Sequence, residues 1–251
     1  MFESLKNKNV LVTGSTRGIG RAIAEGFAKM GANVAVHGIS HSPAMKEALS
    51  ELAKYEGKCV GVFADLSDPK AASKLINDTV AELGGIDILV CNVSVQIRKN
   101  WLEITDEEMQ LQTEVNFFNT VRLIQGSVPL MQKNGFGRVI TIGSVQQDKP
   151  HPDMLIYSAN KCAVKNVVQS LALQLAKENI TVNNLAVGTI YTDRNKDVLK
   201  DEAYLKKVEN DIPVGFIGEP RDCAGMALLL ASEEGRYITG EDKHIDGGKF
   251  I

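Results

Sequence analysis

Tyr157-Ser-Ala-Asn-Lys161 sets a phenol and an ammonium group four residues apart, which on a helix puts both on one face. A phenol ordinarily titrates near 10 and is a poor acid or base at neutral pH. A neighbouring cation favours the phenolate and moves the group toward useful proton transfer. Ser144 follows the strand-like run Gly137-Arg-Val-Ile-Thr-Ile-Gly143, so its hydroxyl is expected just past a strand end, where it could polarise a carbonyl. Each residue also has an ordinary reading: Tyr-x-x-x-Lys occurs on many helix surfaces, and loop serines cap helices. What separates the readings is the scaffold around them.

The scaffold announces itself in Asn9-Val-Leu-Val-Thr-Gly-Ser-Thr-Arg-Gly-Ile-Gly20. A strand-like run enters three glycines, and Ile19, Ile23, Phe27 and Met30 then recur at helical spacing. Strand, glycine turn and helix in that order present bare N–H groups at a helix N-terminus, where a pyrophosphate is well held. The spacing Gly-x-x-x-Gly-x-Gly differs from the Gly-x-Gly-x-x-Gly dinucleotide fingerprint.

The remaining chain alternates strand and helix signals. Strands are expected over 31–38, 58–64, 86–91, 137–143, 181–186 and 243–246. Helices are expected from Pro43 to Tyr55, after Asp68-Pro69, from the Thr105–Glu108 capping box to Met131, over 157–177, and from Pro220 to Ala231. A charged, loosely patterned stretch, 192–215, would be a mobile lid. No repeat or linker interrupts the 251 residues, which predicts one domain, 1–251. Its fold would be α/β, a doubly wound parallel sheet of about seven strands with helices on both faces.

Ligands in such sheets lie beyond the strand carboxyl ends. After the second strand, His37, Gly38, Ile39 and Ser40 offer no carboxylate for an adenosine ribose, whereas Arg17 could pair a 2′-phosphate. NADP(H) is therefore favoured over NAD(H). Asp65 and Asn92 sit where the chain would pass the adenine and its ribose. A net charge of −3 gives no reason to expect nucleic acid or an anionic membrane. No apolar run could span a bilayer, and the first eight residues do not resemble a signal peptide. Cys59, Cys91, Cys162 and Cys223 form no metal-ligand spacing and are read as buried reduced thiols in a cytoplasmic protein; no metal is expected.

Taken together, these motifs resemble the short-chain dehydrogenase/reductase family over nearly the whole chain, implying a Rossmann-like fold. The family's Thr-Gly-x-x-x-Gly-x-Gly is Thr13 to Gly20, and its catalytic tetrad falls on Asn116, Ser144, Tyr157 and Lys161. The resemblance makes Tyr157 the proton donor for carbonyl reduction and the base for alcohol oxidation. Lys161 would lower its pKa and hold the nicotinamide ribose, Ser144 would orient the substrate oxygen, and Asn116 would keep a relay water. Cofactor contacts are implied at Gly14, Ser15, Thr16, Arg17, Gly18, Ile19, Gly20, Ser40, Asp65, Leu66, Asn92, Val93, Ser94, Gly188, Ile190 and Thr192, with Tyr157 and Lys161. Two departures stand out: Cys91-Asn-Val-Ser94 replaces Asn-Asn-Ala-Gly, and Val187-Gly188 replaces Pro-Gly.

Gln96, Arg98, Gln146 and Gln147 follow the fourth and fifth strands and are polar. With Ser144 and Tyr157 they would form a substrate site for a polyhydroxylated or acidic carbonyl compound. The loops that carry them resemble the gluconate 5-dehydrogenase branch. A 3-oxoacyl-(acyl-carrier-protein) reductase is the alternative, and a catalytically silent NADP(H) sensor is an alternative of another class. The 157–177 helix is apolar on more than one face, so a second subunit is expected against it, and the resemblance implies a homotetramer.

Overall fold

Val10 and Val12 point to one side of strand β1 (Asn9–Val12) and Leu11 to the other, and all three are fully buried. That is the pattern of a strand covered on both faces. The computed structural model of the chain describes residues 2–251. β1 pairs in parallel with β2 (Asn33–Gly38) on one side and β4 (Ile88–Cys91) on the other. β3 (Cys59–Phe63) lies outside β2, and β5 (Gly137–Ser144), β6 (Ile180–Val187) and β7 (Asp242–Ile245) follow β4. The seven-stranded parallel sheet has the order β3-β2-β1-β4-β5-β6-β7. Its direction of winding reverses between β1 and β4, so a crevice opens at their carboxyl ends.

Helices α1 (Gly18–Lys29), α2 (Pro43–Leu52) and α8 (Ala224–Ala231) cover one face, where Ile23, Phe27, Met45 and Leu228 pack on Val10, Val34 and Val36. Helices α3 (Ala71–Leu83), α5 (Asn119–Asn134) and α6 (Leu155–Leu175) cover the other, with Leu75, Leu123 and Val168 against Leu11, Leu89 and Val182. This is the doubly wound α/β architecture the alternating pattern predicts.

Three local expectations differ. The Thr105 capping box forms as read, with Thr105 Oγ1 accepting from the Glu108 N–H at 3.3 Å. The helix behind it is not continuous: α4 (Asp106–Thr113) widens into a π-helical turn, Glu114–Phe118, before α5 begins. The stretch read as loosely patterned holds α7 (Glu202–Asn210), whose N-cap Asp201 accepts from the Tyr204 N–H at 3.0 Å. Val208 on this helix is buried, as are Leu199 before it and Ile212 after it. The thiols also divide: Cys91 and Cys223 are buried, Cys59 is half-buried and Cys162 is exposed. An apolar neighbourhood in sequence does not fix which side of α6 a residue occupies. Among the described residues no helix is long and apolar enough to cross a membrane.

Candidate active site

The ends of β1 and β4 are laced together. Thr13 Oγ1 accepts from the N–H groups of Asn92 at 2.8 Å and Val93 at 3.1 Å. The Asn92 side-chain amide donates to the carbonyls of Thr13 at 2.9 Å and Gly14 at 3.2 Å. The glycine turn then runs over this seam into α1. Gly18 has φ of 59°, a left-handed backbone that glycine adopts without strain. A Cβ on Gly20 would stand 2.5 Å from both the Gly14 carbonyl oxygen and the Asn92 amide, so the helix approaches the seam only as glycine. Among the described residues no acceptor meets the N–H groups of Gly18, Ile19 and Gly20. Unpaired donors at a helix start, beside the crevice, fit the pyrophosphate of a dinucleotide.

His37 holds this turn from beneath, a role its sequence position did not disclose. Its Nδ1 accepts from the Gly14 N–H at 2.9 Å, which leaves the ring proton on Nε2 to donate to the Ala64 carbonyl at 3.0 Å. The ring is buried, and that burial holds its pKa below 6.5. Ser15 is likewise turned inward, donating to the Val12 carbonyl at 2.6 Å and accepting from the His37 N–H at 3.0 Å.

Other sequence-predicted cofactor positions ring the same edge. Arg17 is exposed and faces Asp193 at 3.6 Å, and Ser40 lies in the exposed turn after β2. Asp65 accepts from the Ser67 N–H in a surface turn, while Leu66 is buried with its carbonyl on Asn119. Val93 packs under Gly14, and a Cβ on Gly18 would be 3.5 Å from the Thr192 methyl, so Thr192 overhangs the turn. A Cβ on Gly188 would be 2.7 Å from the Asp246 backbone, and Ile190 is buried beside it in the chain. Val187 stands in β6 without disturbing the ladder to β7.

Tyr157 and Lys161 project from the first turns of α6 and are both buried. Ser144 is the last residue of β5 rather than the first beyond it, and its Oγ accepts from the Gln146 N–H at 3.2 Å. The Lys161 ammonium donates to the Ile142 carbonyl at 2.6 Å and lies 5.7 Å from the Tyr157 ring centre. Burial, and then the Arg194 guanidinium, press the Lys161 pKa down to about 7. Burial also raises the Tyr157 phenol above 10, and the groups that oppose it are Arg194 and the Ser144 hydroxyl. The expectation that Lys161 lowers the phenol is thus not met here. Its charge is itself disfavoured by burial, and the nearby cation acting on the phenol is Arg194, after β6.

Asn116 sits in the π-helical turn. Its side chain forms a two-bond bridge to Val95, accepting from the N–H at 2.9 Å and donating to the carbonyl at 2.7 Å. The extra residue in a π turn redirects one side chain out of the i→i−4 pattern, and here that side chain anchors the chain leaving β4.

The predicted substrate residues divide. Gln96 donates to Met154 Sδ, and Arg98 faces Asp153 at 3.6 Å and His151 at 3.4 Å, so these two tie the loop after β4 to the loop after β5. Gln147 is buried and donates to Asp242 at 2.6 Å. Gln146 lines a cavity of about 490 Å³ with Leu155, Ser158 and Cys162, on the face of α6 roughly opposite Tyr157. Asp148, Asp242 and His244 converge nearby, but the Lys165 ammonium already lies 2.7 and 3.2 Å from the two carboxylates. Arg194, unmarked in the sequence pattern, reaches across from the chain after β6 to donate to Ser94 O at 2.8 Å and Ser94 Oγ at 3.0 Å.

Residues 14–249 match the family described as Enoyl-(Acyl carrier protein) reductase. The chain is 37% identical to 3-oxoacyl-(acyl-carrier-protein) reductase FabG of Aquifex aeolicus (strain VF5), covering 98% of each. It is 35% identical to Glucose 1-dehydrogenase 2 of Bacillus subtilis (strain 168), covering 100% of this chain and 98% of that one. The solved L-sorbose reductase of Gluconobacter frateurii, complexed with NADPH and L-sorbose, superposes with a TM-score of 0.94 at 31% identity, covering 100% of this chain and 99% of that chain. The chain belongs to the short-chain dehydrogenase/reductase family. It is an oxidoreductase of the CH–OH/carbonyl class.

Proposed function

We propose that this protein transfers a hydride between NADP(H) and the carbonyl or secondary alcohol of a small polar molecule, polyhydroxylated or acidic. The observation that carries the reading is the meeting of Tyr157, Ser144 and Lys161 at the strand ends beside a helix start with unpaired N–H groups. The NADPH and L-sorbose of the solved relative support the cofactor and the polar substrate class. The absence of a carboxylate after β2 and the exposed Arg17 support NADP(H) over NAD(H).

In this reading the first-turn N–H groups of α1 hold the pyrophosphate, Arg17 and Ser40 meet the 2′-phosphate, and Lys161 meets the nicotinamide ribose. The bound cofactor supplies or accepts the hydride at the carbonyl carbon. Tyr157 Oη gives its proton to the carbonyl oxygen in reduction and takes one from the alcohol in oxidation. Ser144 Oγ–H hydrogen-bonds that same oxygen and stabilises the charge developing on it. A phenol held above 10 is protonated at neutral pH, the form reduction needs. Asn116 fixes the Val95 segment against the crevice and is the tetrad's relay residue. Residues 192–215 close over the site as a lid within a single domain.

The 37% identity to FabG supports a second reading, reduction of a 3-oxoacyl thioester. Large apolar side chains left exposed on α6 and the π turn, Leu155, Leu173 and Phe118, support a homotetramer, and the free cysteines support a cytoplasmic location.

The test follows NADPH and NADH absorbance with sugar acids, keto-polyols and 3-oxoacyl thioesters. Tyr157→Phe is expected to lower kcat by at least about 1,000-fold while leaving NADPH binding nearly intact. Wild-type protein that binds NADPH but turns over none of these compounds would make the chain a nucleotide sensor instead.

A further inference from the structure

The first residues of the lid lie across the crevice in two places. Asp193 faces Arg17 on the glycine turn at 3.6 Å, and Arg194 donates through Nη2 to both oxygens of Ser94. The second tie depends on a departure from the family pattern. A glycine at position 94 would offer only its carbonyl, whereas Ser94 adds a hydroxyl oxygen and fixes the guanidinium by two bonds. Arg194 has five N–H donors, and this anchor leaves most of them available.

That guanidinium lies among groups of the catalytic crevice. It faces the Tyr157 phenol and stands close enough to Lys161 to help depress the ammonium's pKa. Among the described residues no carboxylate lies within 4.0 Å of it, whereas its chain neighbours Lys196 and Lys200 each have an acidic partner, and the partnerless Lys206 and Lys207 lie further on, in α7. Arg98, the cation that the sequence pointed to, faces Asp153 and lacks this freedom. This exposed guanidinium, held by Ser94 beside the reacting groups and without a carboxylate within 4.0 Å among the described residues, is available to an anion that binds there.

We propose that Arg194, held by Ser94, is the specificity-determining residue that selects substrates carrying a carboxylate, pairing with that group while the carbonyl lies against Tyr157 and Ser144. This rests on the reading of the chain as an NADP(H)-dependent carbonyl reductase and narrows its substrate class to oxo acids. The chemistry is unchanged: one hydride and one proton convert the ketone to the alcohol as NADPH becomes NADP⁺.

A matched pair of substrates tests it, because 5-keto-D-gluconate is L-sorbose with one terminal hydroxymethyl group oxidised to a carboxylate. With NADPH saturating, wild-type kcat/KM is expected to favour the acid. Arg194→Gln should lower kcat/KM for the acid by about 10- to 100-fold, the worth of a charge-assisted contact, while L-sorbose changes less than about threefold. Arg194→Lys should fall between. NADPH affinity, read by fluorescence, should be the same in all three proteins. Where turnover is too slow to follow, calorimetric binding of 5-keto-D-gluconate to the NADPH complex carries the same comparison.

Equal loss for both substrates, a wild-type preference for L-sorbose, or an acid that neither reacts nor binds overturns the proposal. A loss confined to NADPH affinity also overturns it, assigning the guanidinium to the cofactor's phosphates instead. Wild-type protein that fails to bind NADPH at all removes the underlying reading as well, and the fluorescence titration reports that separately.

Discussion

Replacing Lys161 by methionine should stabilise the folded chain in acid and do so less as the pH rises. The ammonium is buried, its one neighbouring acceptor is the Ile142 carbonyl at 2.6 Å, and its pKa lies near 7 against 10.5 for a free lysine. Burial is the larger cause and the Arg194 charge the smaller. Cys91 offers no counter-charge at neutral pH, because burial pushes its thiol up to about 12. Between pH 7 and 10.5 the unfolded chain therefore binds a proton that the folded chain does not, so stability rises with pH through that window. The penalty is largest below 7 and vanishes above 10.5. At about 1.4 kcal/mol per pH unit it amounts to roughly 5 kcal/mol at pH 6 and about 2 kcal/mol at pH 9.

Methionine removes this penalty and leaves the Ile142 carbonyl without its side-chain donor, a cost of about 1–3 kcal/mol that does not depend on pH. The difference in unfolding free energy between variant and wild type should thus shrink by about 3 kcal/mol from pH 6 to pH 9. Urea denaturation of both proteins without cofactor, at several pH values across that range, measures it. Every other titrating group is common to the two proteins and cancels. Parallel pH profiles would refute the reasoning, because they would mean that the lysine keeps its ordinary pKa in the fold.

Two further expectations come from the glycine turn. His37 accepts from Gly14 only while neutral, and its pKa is depressed, so it contributes stability that is complete above about 6.5 and falls away as the pH drops toward its folded value. His37→Asn keeps an acceptor near Nδ1 but cannot titrate. Its thermal-unfolding profile between pH 7.5 and 5 should lose part of the acid decline seen in wild type, and an unchanged decline would clear His37 of the role. Arg17→Ala should raise KM for NADPH by about 5- to 50-fold and leave KM for NADH nearly unchanged, since its present surface pairing with Asp193 is weak. Initial-rate kinetics with both cofactors decide this, and equal effects would remove Arg17 from 2′-phosphate recognition.

The sequence by itself determined the sheet and the local elements that carry the candidate site residues. Local chemistry settled these features: alternating buried valines and leucines in β1, glycines at 14, 18 and 20, a Thr105–Glu108 cap, and a phenol and ammonium one turn apart. Each such signal acts over a few residues and survives whatever packs around it. The tertiary structure decided what depends on pairs far apart in the chain. Asn116 becomes an anchor because a π turn lets it reach Val95, and His37 becomes a support because the β1–β2 pairing sets it under Gly14. Ser94, a departure from the family pattern, becomes an anchor because the fold brings Arg194 onto it from 100 residues away. The signs of the pKa shifts at Tyr157 and Lys161 were also hidden, because desolvation is a property of the folded surroundings and not of spacing along a helix.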